Sequence, residues 1–111
     1  MRLKPKKSLG QNFLVDPNIR RKIVESLHVK ASDQLLEIGA GRGELTLEVA
    51  KKVKSVIAVE IDDQLCAGLK HAFAGQRNIR LIHGDILKLD LGRVLKGAKQ
   101  VKVLGNIPYY I

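Results

Sequence analysis

The sequence predicts an α/β fold built on a parallel sheet. Short runs rich in Val, Ile and Leu recur along the chain, and stretches with apolar residues at helical spacing lie between them. Strands that alternate with helices in this way form parallel sheets with right-handed crossovers. Such sheets are buried on both faces, which suits continuous apolar runs. We therefore expect parallel strands, four in number, with flanking helices.

The first helix is predicted over residues 17–28. Asp16 offers a carboxylate that can cap exposed amides, and Pro17 has the backbone angle of a first helical turn. Apolar side chains then recur at every fourth position, which is typical of a helix with one buried face. These side chains are Ile19, Ile23 and Leu27.

Buried strands are predicted after this helix. They cover residues 34–38, 55–61, 78–83 and 101–104. Each is a short, largely apolar run of the kind expected for strands that are covered on both faces. Residues 86–99 show no clear pattern.

Two further helices are predicted between these strands. A helical period resumes after Gly43, and Asp62 is a suitable cap for the second of the two helices. The apolar positions are Leu45, Val49 and Val53 in one helix and Leu65, Leu69 and Phe73 in the other.

Positive charge is concentrated near the beginning of the chain. The 111 residues carry 20 Lys and Arg against 11 Asp and Glu, for a net charge of +9. Residues 1–30 hold 8 basic and 2 acidic residues (+6), and residues 31–111 hold 12 and 9 (+3). A strongly basic end favours a polyanionic partner such as nucleic acid. The alternative is a solvated basic tail that only aids solubility.

The sequence excludes two classes of protein. No apolar stretch approaches the roughly 20 residues that a membrane-spanning helix needs. A single cysteine, Cys66, cannot form a disulfide within the chain. The first residues also lack the apolar core of a secretory signal, so we expect a cytoplasmic protein.

Glycines cluster directly after the first predicted strand, at Gly39, Gly41 and Gly43. Glycine lets a turn bend sharply and lets a ligand approach the backbone closely. The cluster departs from the G-x-G-x-x-G pattern of dinucleotide sites because Glu44 stands at the sixth position, where a carboxylate would repel a pyrophosphate. A ligand without phosphates is therefore favoured over the alternative of a dinucleotide-dependent oxidoreductase.

Acidic residues stand at the ends of two later strands. Open parallel sheets bind ligands beyond the carboxyl ends of their strands. Glu60 could accept both hydroxyls of a ribose there, or could simply pair with a neighbouring lysine. Asp85 could accept a hydrogen bond from the amine of adenine, or could belong to an ordinary Gly-Asp turn.

Three segments, taken together, resemble one enzyme family. They are Ser8-Leu9-Gly10-Gln11-Asn12-Phe13-Leu14, Glu37-Ile38-Gly39-Ala40-Gly41 and Gly105-Asn106-Ile107-Pro108-Tyr109-Tyr110. In this order they are similar to the ribosomal RNA adenine N6-dimethyltransferases, which belong to the class I methyltransferases that use S-adenosylmethionine.

The resemblance implies the Rossmann-like sheet of that class. It divides the chain into a basic N-terminal segment, residues 1–16, with the cofactor-closing Gln-Asn-Phe-Leu motif, and residues 17–111, the N-terminal part of the cofactor-binding domain. Relatives continue with three more strands and a small helical domain, so we expect a truncated chain that is inactive alone.

The resemblance assigns six residues to binding of the cofactor S-adenosylmethionine: Asn12, Leu14, Gly39, Glu60, Asp85 and Asn106. The residues matching Asn12 and Leu14 close over its methionine end, and Gly39 borders it. Glu60 would hold the ribose hydroxyls, and Asp85 the adenine amine.

Asn106 and Tyr109 are the two residues implied in methyl transfer, and Ile107 and Pro108 would support them. Asn106 would lie between the cofactor and the target base, where its side-chain carbonyl and the backbone carbonyl of Ile107 accept both N–H groups of the exocyclic amine. Pro108 would keep that turn rigid, and Tyr109 would stack on a base turned out of its helix.

The implied function is N6-dimethylation of two adjacent adenosines near the 3′ end of 16S small-subunit ribosomal RNA during ribosome biogenesis. Ribosomal RNA is then the expected partner of a monomeric enzyme that needs neither a metal nor a membrane. Two alternatives stay open: a 23S ribosomal RNA methyltransferase of the macrolide-resistance type, and a non-catalytic RNA-binding relative.

Overall fold

Parallel strands form the centre of the protein in a computed structural model that describes residues 4–5, 16–98, 100–105 and 109–110. The strands are β1 (Lys4–Pro5), β2 (Gln34–Ile38), β3 (Ser55–Glu60), β4 (Ile79–His83), β5 (Val101–Gly105) and β6 (Tyr109–Tyr110). The helices are α1 (Pro17–Ser26), α2 (Glu44–Ala50), α3 (Asp63–Ala72) and α4 (Leu91–Val94).

The central sheet has four strands in the order β4-β3-β2-β5, and all its neighbours pair in parallel. The predicted parallel sheet is therefore confirmed. The chain crosses over from β3 to β4 on one side of β2, and β5 returns to the other side of β2. This reversal sets the carboxyl ends of β2, β3 and β5 next to one another, which is where open sheets bind ligands.

The strand ends differ from the prediction by one residue. The strand expected over 55–61 stops at Glu60, because the Glu60 carboxylate accepts the amides of Ile61 and Asp62 at 3.0 and 3.1 Å. These amides turn away from the sheet, and the side chain of Ile61 is 58% exposed. The neighbouring strand β4 differs at its start, because it begins at Ile79, one residue later than predicted.

Side-chain caps fix where the helices begin. Asp16 accepts hydrogen bonds from the amides of Asn18 and Ile19 at 2.9 and 3.4 Å, so the predicted cap of α1 is confirmed. α1 ends two residues earlier than predicted, and His28 takes a left-handed backbone angle, φ 50°, that cannot continue a helix. Asp62 caps α3 as predicted, through the Leu65 amide at 2.9 Å.

The core lies between the sheet and the helices. One apolar cluster joins α1 and α2 to β2 and β3, and it includes Val24, Leu35, Leu45, Val49 and Val56. Each of these side chains, fully buried, contributes about 1.5–3 kcal/mol. Val53 belongs to this cluster from a turn after α2 and not from the helix in which it was predicted.

Polar contacts tie down the loops at the amino edge of the sheet. The side chain of Asn78 donates to the carbonyls of Ala50 and Val53 at 2.7 and 3.3 Å, where α2 ends. Asp33 accepts the Lys30 amide at 2.7 Å and the Lys102 ammonium at 3.1 Å. The amide hydrogen bond from Lys30, followed by the contact with Lys102, holds the pKa of Asp33 below its usual value. This edge is therefore fixed by side chains that hydrogen bond to loop backbone.

Two features were not predicted. α4 lies in the stretch 86–99 that showed no pattern, and it begins where Asp90 accepts the Arg93 amide at 3.2 Å. β1 pairs with β6 in an antiparallel ladder that sets Lys4 opposite Tyr110. The helices of the described residues are all too short or too polar to cross a membrane.

Gly43 lies where the start of α2 packs closely against α3. It precedes α2 with φ 85°, and a Cβ built there would lie 2.9 Å from both Leu69 Cδ2 and Phe73 Cε1. Real Cβ atoms do not approach other carbons so closely, so the third glycine of the cluster serves helix packing.

We predict that Gly43→Ala destabilises the protein by about 2–4 kcal/mol, because it adds overpacking to left-handed strain. Gly75 has the same φ of 85° but open space around it, so Gly75→Ala carries the strain alone and should cost about 1–2 kcal/mol. Urea unfolding of the two variants measures the difference. Equal losses would contradict the packing role.

Candidate functional site

A turn of five residues joins β2 to α2 at the carboxyl edge of the sheet. Gly39 and Gly41 take left-handed backbone angles, φ 77° and 62°, which side chains rarely adopt. The Gly39 amide donates to the Val59 carbonyl at 2.8 Å, and the Gly43 amide donates to the Ala40 carbonyl at 3.0 Å. The predicted strand, glycine turn and helix are confirmed, and the turn is fastened to β3 at its first residue.

Glu60 fastens the same turn a second time, at its tip. Its Oε1 accepts the Gly41 amide at 2.8 Å across the gap between neighbouring strands, while Oε2 accepts the amides of Ile61 and Asp62. The residue is 6% exposed. Within the part of the chain that is described, Glu60 therefore bonds to backbone amides and not to a lysine, which was the alternative left open by the sequence.

Glu37 lies behind the turn in β2 and is fully buried. Its Oε1 accepts the hydroxyl of Thr46, which is also fully buried in α2. Its Oε2 is buried without a hydrogen-bond partner among the described residues. Burial raises the pKa of Glu37 to about 7, the Thr46 hydrogen bond opposes this rise, and the negative charge of Glu60 adds to it.

Asp85 follows β4, next to the end of β3. Its Oδ1 accepts the Leu87 amide at 2.9 Å, and its own carbonyl accepts the Lys88 amide at 2.9 Å. The Gly-Asp turn read from the sequence is thus present. Asp85 is half-buried and stands at the same edge as Glu60, since the Gly84 amide donates to the Glu60 carbonyl at 2.9 Å.

The charges at this edge select for certain ligands. Glu60 and Asp85 bring carboxylates to the same edge as the glycine turn, and Glu44 opens α2. Negative groups favour a cationic ligand or one rich in hydroxyl donors, and they disfavour a pyrophosphate. Within the described ranges, no cluster of three or more His, Cys, Asp or Glu is arranged to hold a metal ion.

The structure brings together three of the predicted site residues: Gly39, Glu60 and Asp85. Asn12, Leu14 and Asn106 lie outside the described residues. Tyr109 is placed through its backbone alone, in β6.

Sequence reasoning missed two features of the site. It took Ile61 as part of a buried strand, whereas this side chain is exposed beside Glu60. It also gave Glu37 no role of its own, although this carboxylate is fully buried two residues before Gly39 and accepts the hydroxyl of Thr46. A carboxylate inside an otherwise apolar strand was the signal for the latter, because buried charges need a specific reason.

Comparison with known proteins gives a family match over nearly the whole chain. The family model described as "Ribosomal RNA adenine dimethylase" matches residues 2–111. A "Ribosomal RNA small subunit methyltransferase A" of Moorella thermoacetica is 47% identical over 98% of this chain and 41% of its own length. The protein of that name in Alkaliphilus metalliredigens is 44% identical over 95% of this chain and 38% of its own length. The chain thus spans about two fifths of the length of these curated relatives.

Solved structures agree with this match. The crystal structure of the 23S rRNA methyltransferase ErmE has a TM-score of 0.65 and 33% identity, covering 70% of this chain and 32% of that one. A dimethyladenosine transferase from Plasmodium falciparum has a TM-score of 0.62 and 33% identity, covering 68% and 28%. The fold is therefore that of the Rossmann-like class I methyltransferases, and the chain belongs to the ribosomal RNA adenine dimethylase family.

Proposed function

We propose that the chain forms the cofactor-binding part of an S-adenosylmethionine-dependent enzyme that dimethylates N6 of adenosines in ribosomal RNA. The observation that carries the proposal is the Glu60 carboxylate, which stands at the tip of the Gly39–Gly43 turn with two oxygens on backbone amides. A carboxylate at the end of the strand after a glycine turn is the recognised partner of ribose hydroxyls in such folds.

The residues of the site fit this cofactor. The surrounding carboxylates suit a ligand that carries a sulfonium and an ammonium group, since opposite charges attract strongly at a partly buried edge. Ile61, 58% exposed beside Glu60, offers an apolar surface against which an adenine ring can lie. Glu44 in the first turn of α2 argues against a dinucleotide, as its charge opposes a pyrophosphate.

The binding roles follow the family resemblance. Glu60 would hold the ribose hydroxyls, Asp85 the adenine amine, and Gly39 would border the methionine part. Asn12 and Leu14, in the basic N-terminal segment, would cover the methionine end.

When bound, S-adenosylmethionine supplies a methyl group that is already activated by the positive sulfur. The amine of adenine is a poor nucleophile because its lone pair is delocalised into the ring. Asn106 would accept one N–H through its side chain, and the Ile107 carbonyl would accept the other, so that the lone pair points away from the ring plane. Pro108 would hold this turn, and Tyr109 would stack on the base. Catalysis then consists mainly of orientation and exclusion of water.

Small-subunit ribosomal RNA is the substrate we favour. This choice is supported by relatives that carry the small-subunit name and are 43–47% identical to the chain over nearly its whole length. We assign residues 1–16 to an RNA-contacting segment and residues 17–111 to cofactor binding. The enzyme would act in the cytoplasm as a monomer, on two adjacent adenosines near the 3′ end of the 16S molecule.

Glu60→Gln should weaken binding of S-adenosylhomocysteine by at least tenfold, because hydrogen bonds to a charged acceptor contribute about 1.5–3 kcal/mol. Titration calorimetry on the folded variant measures this loss. Asp63→Asn is a matched control, since Asp63 is a carboxylate at the same edge with a side chain 89% exposed. Similar affinities for the two variants would contradict the role of Glu60.

Asn106→Ala should reduce methyl transfer by about 100-fold while leaving cofactor affinity within about threefold, because misorientation of the amine acts on the chemical step. Single-turnover assays with the whole protein and ribosomal RNA test this. Asn18→Ala, on an exposed position of α1, is the control and should retain full activity. Turnover of Asn106→Ala within a few-fold of the unmodified protein would rule out the orienting role.

Replacing Lys4, Lys6 and Lys7 with Gln should make RNA binding less sensitive to salt. Each phosphate contact that is lost lowers the slope of log affinity against log salt by about 0.7 on a single strand, so the change should be about 2. Lys51, Lys52 and Lys54 precede β3 at the amino edge, and the same triple change there should leave the slope intact. An unchanged slope in the first variant would show that the N-terminal segment is a solvated tail that does not contact RNA.

A further inference from the structure

The Glu37 carboxylate has no part in the chemistry proposed above, although it is buried beside the glycine turn. It ends the buried run of β2, two residues before Gly39, and it is fully buried. One of its oxygens bonds to Thr46 in the first turn of α2. Glu37 therefore spans the two elements that the glycine turn connects.

We propose that Glu37 is a positioning residue whose proton is exchanged for the cofactor's positive charge. In the free protein it holds a proton up to about neutral pH, and it ionises when the cationic end of the ligand lies over the turn. The inference rests on the proposed function, since it requires a cationic ligand at this site.

The hydrogen bonding of Glu37 is incomplete in a way that suits this exchange. Its Oε2 is buried without a partner in the described part of the chain. An ionised oxygen in such a position lacks the donors that normally stabilise it, and a carboxyl group there binds a proton instead. A positive charge close to the turn would stabilise the ionised form of the carboxyl group by electrostatic attraction.

Among the described residues, no charged group around Glu37 supplies the missing positive charge. Glu60 on β3 acts on it and favours the protonated form. The other charged side chains of the packed elements include basic ones, but none of them is among the causes that act on Glu37. The charged residues on the surrounding elements are Arg20, Arg21, Lys22 and Glu25 on α1, Glu44 and Glu48 on α2, Glu60 on β3, and Lys102 on β5.

A proton linkage of defined direction follows. With the pKa of Glu37 near 7 in the free protein and lower in the complex, ligand binding releases a proton around neutral pH. Affinity for the cationic ligand should then fall as the solution is acidified, by about tenfold from pH 8 to pH 6. Above pH 8, where Glu37 is ionised with and without ligand, Glu37 itself should contribute no further change in affinity.

The direct test follows the carboxyl carbon of Glu37 by NMR in the unmodified protein labelled with carbon-13 at glutamate carboxyls. S-adenosylmethionine should shift the Glu37 titration to lower pH by at least one unit. The neutral compound 5′-methylthioadenosine, which carries the same adenosine but no positive group, should leave the titration where it is. A Glu37 titration that stays unchanged with both compounds bound overturns the inference.

Calorimetry in buffers of different ionisation enthalpy counts the released protons independently. Glu37→Gln should bind S-adenosylmethionine without proton release and without the loss of affinity at pH 6, whereas Glu48→Gln, on the adjoining helix α2, should behave like the unmodified protein. Proton release that persists in Glu37→Gln contradicts the assignment. If neither adenosyl compound binds, the proposed function itself is wrong. If S-adenosylmethionine binds without releasing a proton, only the role of Glu37 is wrong.

Discussion

The Glu60 carboxylate joins two neighbouring strand ends through three backbone amides, and the geometry of the whole carboxyl edge depends on it. One oxygen holds the Gly41 amide at the tip of the glycine turn, and the other closes the turn that leads from β3 into α3. Backbone amides that bind a buried carboxylate are strong, directional contacts. The same side chain that would bind a ribose thus also fixes the two loops between which a ribose would lie.

The two edges of the sheet are built on different principles. At the amino edge, Asn78 and Asp33 satisfy loop carbonyls and amides, and Lys102 closes the contact with Asp33 at 3.1 Å. At the carboxyl edge, left-handed glycines and carboxylates hold the backbone instead, and one buried oxygen of Glu37 has no described partner. Unsatisfied polar groups and strained backbone concentrate at functional sites in proteins, which agrees with the edge at which the family signature lies.

The strand and helix pattern could be predicted from the sequence because apolar runs, glycines and Asp caps are local signals. Asp16 and Asp62 start their helices as predicted, and the four strands differ from prediction by one residue at some ends. The end of β3 was predicted one residue too late because the Glu60 carboxylate binds the next two backbone amides, which therefore leave the sheet. The position of that carboxylate is fixed in turn by its hydrogen bond with Gly41, which is distant in sequence. The pairing of β1 with β6 joins residues about a hundred positions apart and has no local signal. For the same reason, the sequence left Glu60 open between two roles, whereas the structure excludes its pairing with lysine among the described residues.

The most direct test of a cofactor site held by Glu60 is a titration with S-adenosylhomocysteine followed through the backbone amides in a nitrogen-15 NMR spectrum. The account predicts that the amides of Gly41, Ile61 and Asp85 shift together as the ligand is added. Amides at the amino edge, such as those of Lys54 and Ser55, should stay unchanged. A well-dispersed spectrum in which the carboxyl-edge amides do not move, at ligand concentrations in the millimolar range, would contradict the account.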